Sequence, residues 1–337
     1  MSVRPSSGAP LLAVDDVDVA YARRGQAPVR AVIGASITVA AGEIVGLVGE
    51  SGCGKSTLGR AAVGLVAPSA GEVRYRGEVV EAMGRATRPP RLRSLQMVFQ
   101  DPYASLNPRR RIGRQVADAI RLGTRAKLDD AEAQARVAGL LERVGLSANI
   151  AHRYPHEFSG GQCQRIAIAR VLATDPSCVV ADEPISSLDA SAQAQIANLL
   201  AGIVADSGLG MLFISHDLSV VRKIAHRTVV MYLGRIVETG PTEPIWSAPA
   251  HPYTRALIAA VPVPGARSGL ATELRGDVPN PARPPSGCRF HPRCPDVIDR
   301  CRTEDPPPVE VVPGWQSLCL LTKPRPAPAP PESLSDP

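Results

Sequence analysis

Nine consecutive residues, Gly49-Glu50-Ser51-Gly52-Cys53-Gly54-Lys55-Ser56-Thr57, have the types and spacing to hold a polyphosphate. They fit the G-x-x-x-x-G-K-[ST] pattern, in which glycines let the backbone curl so that successive N–H groups point into one hollow. Lys55 brings a mobile positive charge to the β- and γ-phosphates of a nucleotide, and the Ser56 hydroxyl is placed to ligate the Mg²⁺ that bridges them. The second half of such a site is acidic. Cys178-Val179-Val180-Ala181-Asp182-Glu183-Pro184 is an apolar run closed by two carboxylates. Asp182 is expected to bind Mg²⁺ through water. Glu183, the next strand residue, faces the other way, where it can orient or deprotonate an attacking water. Alone, an Asp-Glu pair reads as a surface turn; with a phosphate loop in the same chain it reads as hydrolytic machinery.

The elements that must carry these groups are legible in the apolar pattern. Ile44-Val45-Gly46-Leu47-Val48 predicts a buried strand before the loop, and Leu58, Ala61, Ala62 and Leu65 form a helical stripe after it, so a helix dipole adds to the anion site. Residues 11–14, 17–21, 35–39 and 72–75 read as short strands between Gly and Pro signals, hence a small antiparallel sheet beside the loop. Tyr21 ends the second of these, where it could stack on adenine or serve as an ordinary strand aromatic. A strand at 97–99 leads into the polar turn Gln100-Asp101-Pro102, followed by helical spacing at Ile112, Val116, Ala119 and Ile120, then at Ala135, Val137, Leu140, Leu141 and Val144. Ser159-Gly160-Gly161-Gln162 opens a further helix. Two continuous apolar strands, 178–182 and 211–214, imply a parallel sheet covered on both faces, with ligands at its carboxyl ends, where Asp182 and His216 fall. Residues 228–233, a Gly234-Arg235 turn and residues 236–238 close the core as a hairpin.

At 337 residues, 44% of them hydrophobic, the chain can build one nucleotide-binding core with an appended piece. Residues 1–10 and the Pro/Ala-rich residues 323–337 are expected to be disordered. No uninterrupted apolar run reaches 18 residues, and the start lacks a secretory pattern, which predicts a cytosolic protein. The net charge of +6 admits a nucleic-acid or anionic-membrane partner, but the arginines are spread along the chain, with one dense run at 109–111.

Phe158-Ser159-Gly160-Gly161-Gln162 resembles the signature sequence of ATP-binding-cassette (ABC) proteins. In the same order, Gln100 resembles their Q-loop, Ser187-Leu188-Asp189 their D-loop and His216 their switch histidine. The resemblance covers about residues 11–246. It implies an α/β P-loop ABC nucleotide-binding domain: a RecA-like parallel-sheet core, an antiparallel β subdomain and an α-helical subdomain at about 100–175. It also implies a two-subunit ATP sandwich, in which Ser159, Gly160, Gly161 and Gln162 of one copy cap the γ-phosphate held by the Lys55 loop of the other. By the same resemblance Glu183 is the general base, His216 holds the attacking water and the γ-phosphate, Gln100 joins Ser56 and Asp182 at Mg²⁺, Asp189 communicates across the dimer and Tyr21 stacks on adenine. Two residues depart from the family's usual pattern. Phe158 stands for Leu, and Cys163 stands for Arg, removing a charge near the ATP interface. Cys53 lies inside the loop, where Lys55 and the helix start are expected to lower its pKa and make it reactive.

Residues 247–322 form a different stretch. His251-Pro252-Tyr253-Thr254-Arg255-Ala256-Leu257 and Gly287-Cys288-Arg289-Phe290-His291-Pro292-Arg293-Cys294-Pro295 resemble the C-terminal extension of oligopeptide, dipeptide and nickel importer ATPases, as does Asp101-Pro102-Tyr103-Ala104-Ser105-Leu106-Asn107-Pro108. This resemblance implies a peripheral ATPase at the cytoplasmic face of the membrane, docked on two permeases through residues 100–121 and served by an extracytoplasmic binding protein, with no nucleic acid. A soluble ABC ATPase acting on nucleic acid is the competing class, supported by the basic charge alone. Cys288, Cys294, Cys301 and Cys319, spaced C-x5-C-x6-C-x17-C, favour a metal over disulfides in a reducing cytosol. The wide loops and Cys294-Pro295 point to a [4Fe-4S] cluster, with zinc next and packed free thiols as the alternative.

Overall fold

The computed structural model describes residues 9–23, 25–84, 88–123, 129–261 and 276–326. Of the ends expected to be disordered, 1–10 and 323–337, residues 1–8 and 327–337 lie outside these, but the start of the tail is held: Arg325 N–H donates to Val311 O at 2.7 Å and its guanidinium to Ala248 O at 2.8 Å. Strand β1 (Leu12–Arg23) pairs antiparallel with β2 (Gln26–Val39). The spacing predicts two strands where β1 is one. Asp16 takes a left-handed φ of 49° and the register shifts between Val14 and Val17, so that both halves keep their apolar side chains, Leu12, Val14, Val17 and Val19, facing inward.

Strand β3 (Ile44–Val48) is buried at every residue and feeds the phosphate loop and helix α1 (Lys55–Ala62). Strands β4 (Ala70–Tyr75) and β5 (Glu78–Val79) complete the first sheet in the order β2-β1-β4-β5. Strand β6 (Leu95–Val98) then leads into four helices: α2 (Pro102–Ser105), α3 (Ile112–Gly123), α4 (Asp130–Arg143) and α5 (Gly160–Leu172). Helix α3 buries the expected stripe of Ile112, Val116, Ala119 and Ile120. Helix α4, started by an Asp129/Glu132 capping box, buries Ala133, Val137 and Leu141 and leaves Ala135 exposed, a shift of the stripe that follows the true start of the helix.

The second sheet gathers β3, β6, β7 (Cys178–Asp182), β8 (Gly210–Ser215) and β9 (Arg227–Tyr232) as parallel neighbours. Helices α6 (Ala190–Ser207) and α7 (Leu218–Ile224) connect β7 to β8 and β8 to β9. Strand β10 (Arg235–Pro241) turns back antiparallel on β9, followed by α8 (Thr242–Ser247) and α9 (Pro252–Ala259). Strands β11 (Val309–Val312) and β12 (Trp315–Ser317) then join the edge, giving among the described residues the order β11-β12-β10-β9-β3-β8-β7-β6.

The appended piece is therefore part of the core sheet. Glu238 pairs with Ser317, and the Trp315 ring lies over Gly240, where any Cβ would come within 2.7 Å of it. The Glu238 side chain, fully buried, accepts from Trp315 Nε1 at 2.8 Å and from the N–H groups of Ala250 and His251 at 2.8 and 3.0 Å. Tyr232 on β9 packs against Tyr253 on α9 and against Phe290, with ring centroids 4.6 and 5.3 Å apart. Sequence patterning does not reveal this union, because β11 and β12 are too short to carry a periodic signal.

Candidate active site

In the phosphate loop, Gly49 and Gly54 adopt φ of 152° and 110°, and a Cβ on either would lie 2.1 or 2.2 Å from a backbone carbonyl, of Met231 and Ala31 respectively. Positive φ and close packing both require glycine there. The loop is tied down by Gly234 N–H, which donates to Cys53 O at 2.8 Å. Lys55 is 3% exposed, and its ammonium donates to Gly49 O at 2.7 Å and Glu50 O at 3.0 Å. The carbonyls of Gly49 and Glu50 are thus held by the lysine, while the N–H groups of Glu50 and Cys53 are engaged by Tyr253 and by Glu50 O, which leaves the other loop N–H groups to face an anion.

At the end of β7, Asp182 Oδ1 accepts the Ser56 hydroxyl at 2.7 Å. Burial pushes the Asp182 carboxyl above its ordinary range, while the Ser56 bond and Arg60 pull it down. A hydroxyl and a carboxylate at this separation are a hard oxygen pair that fits Mg²⁺. Glu183 departs from the strand reading. Strand β7 ends at Asp182, and Glu183 takes φ of 46° while donating its N–H to Ile214 O at 3.0 Å. The two carboxylates diverge because of that left-handed turn, and not because of pleat alternation.

Glu183 Oε2 accepts from Gln100 Nε2 at 3.2 Å and stands 3.4 Å from His216 Nδ1. Gln100 comes from the end of β6, Glu183 from β7 and His216 from β8, so the parallel sheet brings together three residues far apart in sequence. With Ser51 and Gly160 they line a cleft of about 590 Å³. Its size and polar lining suit part of a nucleotide and a water.

The remaining predicted residues are held by local contacts. Ser159 and Gln162 form a reciprocal capping box at the start of α5, with bonds of 3.4 and 3.1 Å. The N–H groups of Ser159 and Gln162 are therefore engaged within the chain; among the described residues, those of Gly160 and Gly161 have no acceptor. Asp189 caps α6 through Ala192 N–H at 2.9 Å. Tyr21 is 42% exposed, and its hydroxyl donates to Thr57 Oγ1 at 3.4 Å, which sets the ring beside the phosphate loop. Cys163 is fully buried and donates to Pro155 O at 3.4 Å, so the departure from the usual arginine puts a packed thiol in the core.

Two expectations are corrected. Cys53 is 2% exposed, and burial raises its thiol pKa against the opposing pull of Lys55, so it is not an activated nucleophile. The metal centre expected at Cys288, Cys294, Cys301 and Cys319 does not fit the residues as they stand. Cys288 N–H donates to Cys301 O at 2.9 Å, which brings the chain segments together. Yet among the described residues no three His, Cys, Asp or Glu side chains are grouped to hold an ion. Burial pushes the thiols of Cys288 and Cys294 up, the latter to about 11, with neighbouring cysteines adding to both shifts. As placed, they pack as small apolar groups beside the core.

The motifs alone do not reveal what the Glu50 side chain does. It pairs with Arg293 across 243 residues.

Comparison with known proteins bears on these features. The ABC transporter family profile matches residues 32–186, and the profile for the oligopeptide/dipeptide transporter C-terminal region matches residues 237–301. A Sinorhizobium fredii protein named "Probable peptide ABC transporter ATP-binding protein" is 49% identical over 300 residues, 89% of this chain and 84% of its own. A Brucella ovis relative, named for ATP binding in peptide import, is 45% identical over 315 residues, 92% of this chain and 98% of its own. Among solved structures, cbiO1 of Clostridium perfringens, part of the ABC transporter complex cbiONQ, superposes with a TM-score of 0.61 at 26% identity, covering 71% of this chain and 91% of that one. A dimeric ATP-binding cassette in a post-hydrolysis state with ADP and phosphate gives a TM-score of 0.61 at 26% identity, covering 68% and 98%.

Proposed function

This chain belongs to the ATP-binding subunits of ABC transporters and is an ATPase, and from that premise we propose that it powers uptake of short peptides through a membrane permease. The convergence of Gln100 and His216 on Glu183, beside the Lys55 loop, is the observation that carries the catalytic part of this reading.

The loop N–H groups and Lys55 bind the β- and γ-phosphates of ATP. Ser56 and Asp182, with Gln100 at the cleft edge, would hold Mg²⁺, which would neutralise charge developing on the phosphates. Glu183 takes the proton of the attacking water, while His216 and Gln100 fix the orientation of the carboxylate and its water. Tyr21 supports the adenine from the strand side of the loop. The half-buried Gly160 and Gly161, whose N–H groups have no acceptor among the described residues, cap with Ser159 and Gln162 the γ-phosphate bound to a second ATPase subunit, and Asp189 serves that junction. Catalysis is positioning plus electrostatic stabilisation.

The partners of this reading are a second ATPase subunit, two permeases that dock around residues 100–121, and an extracytoplasmic peptide-binding protein. Among the described residues no helix is long and apolar enough to cross a membrane, in keeping with peripheral attachment at the cytoplasmic face. Nucleic acid has no part in it.

The test is Glu183→Gln in the reconstituted importer. It is expected to keep MgATP binding and ATP-driven pairing while hydrolysis drops about 10²–10⁴-fold and uptake of labelled peptide stops. Undiminished hydrolysis by this variant would remove Glu183 from the role of base.

A further inference from the structure

Every polar group of Glu50 is engaged; of the four residues that hold it, Arg293, Tyr253, Lys55 and Cys53, the first two come from the C-terminal extension. The carboxylate is met by the Arg293 guanidinium in a two-pronged pair, Nη1 to Oε2 at 2.7 Å and Nη2 to Oε1 at 3.0 Å. The Glu50 N–H donates to Tyr253 Oη at 3.0 Å, and the Glu50 carbonyl accepts from Lys55 Nζ at 3.0 Å. The residue that carries one of the lysine's two backbone acceptors is therefore itself anchored to α9 and to the 3₁₀ turn His291–Arg293.

The anchor is rigid. The Arg293 side chain is 5% exposed, and it also donates to Tyr232 Oη at 3.4 Å. Tyr253 is fully buried and wedged against Tyr232 and Phe290. Stability alone does not call for charge here, since well-packed apolar groups serve a buried position at least as well. What a two-pronged arginine–carboxylate pair adds is direction: two parallel bonds fix both the place and the plane of the carboxylate. A phosphate loop needs that kind of constraint, because its N–H groups bind tightly only if they are already aimed.

We infer that Arg293 is a positioning residue for the phosphate loop: through Glu50, with Tyr253 holding the adjacent N–H, the C-terminal extension sets the loop's affinity for the nucleotide phosphates. The extension is thus a working part of the ATP site of its own chain. In this role Arg293 acts through Glu50.

This rests on the reading that the loop holds ATP, and the experiment separates the two. MgATP affinity of the purified full chain is measured by fluorescent-nucleotide titration, alongside KM and kcat. Arg293→Gln and Glu50→Gln are each expected to weaken binding by about 10- to 100-fold, by breaking a desolvated pair. The double variant is expected to be no worse than the poorer single variant, because the two residues share one interaction. KM rises, while kcat at saturation stays within about twofold, the signature of lost binding that is uniform along the reaction. Arg293→Lys, which keeps the charge without the fork, falls between. Tyr253→Phe, which removes one oxygen from a packed ring, raises KM about threefold by loss of a single hydrogen bond. Wild-type affinity in folded Arg293→Gln, or additive losses in the double variant, overturns the inference. Should Arg293→Gln not fold, Arg293→Lys and Tyr253→Phe decide in the same way, wild-type KM in both overturning it. Failure of the wild-type chain itself to bind MgATP would instead overturn the ATP site.

Discussion

The hydroxyl of Tyr103 donates to the carbonyl of Phe158 at 3.1 Å, so the turn that follows Gln100 is bonded to the residue that precedes Ser159. Gln100 is in turn bonded to Glu183. A displacement at Glu183 thus has a short covalent and hydrogen-bonded route to the segment proposed to cap the second ATP.

Tyr103→Phe tests that route. Tyr103 is 48% exposed, so losing its hydroxyl costs about 1 kcal/mol or less of stability. ATP-driven pairing in a Glu183→Gln background, followed by size-exclusion chromatography, is expected to weaken several-fold with MgATP affinity unchanged. Pairing at full strength would show that the bond does not serve this purpose.

Ser56→Ala leaves the Asp182 carboxylate, 1% exposed, without the hydroxyl that donates to it. Removing one partner of a buried polar contact costs about 1–3 kcal/mol. Chemical denaturation is expected to show that loss, and ATPase assays to show a magnesium requirement raised at least tenfold. Normal magnesium dependence would take Ser56 out of the metal's ligand set.

Cys53 is expected to be inert toward iodoacetamide in the folded protein. Its thiol is buried beneath the loop with its pKa raised by burial, so modification must wait for local opening. Mass spectrometry is expected to find Cys53 labelled no faster than the fully buried Cys178, whose thiol burial pushes to about 12. Rapid labelling of Cys53 that ATP suppresses would restore it as an activated thiol.

His251 makes stability depend on pH. Burial lowers its pKa from 6.5 to about 4, with Arg255 adding to the effect. Between those values the unfolded chain binds a proton that the folded chain does not, so stability is full above pH 6.5 and is lost as pH falls toward 4, by at most about 3 kcal/mol. Glu238, whose carboxyl is raised by burial, contributes with the opposite sign, so the comparison must be made against a variant. His251→Asn retains a side-chain acceptor for Tyr253 N–H, which His251 Nδ1 now accepts at 3.0 Å. Its denaturation midpoints are expected to vary less between pH 6.5 and 4 than those of the wild type. Parallel curves would show that His251 is not the titrating group.

The sequence by itself determined the chemistry wherever the chemistry is local. The phosphate loop is contiguous, the strand before it and the helix after it announce themselves by apolar period, and Asp182, His216 and Gln100 each close a strand that its own composition marks. Such signals are short-range, because strand, turn and helix preferences are settled within a few residues. Only the tertiary structure decided that Glu183 diverges from Asp182 by a left-handed turn, that Cys53, Cys301 and Cys319 are buried while Cys288 and Cys294 are half-buried, and that β12 extends the nucleotide-binding sheet. Only the folded chain could pair Glu50 with Arg293, since whether a charge 243 residues away closes on a loop depends on which strands lie side by side, and that is fixed by burial summed over the whole core.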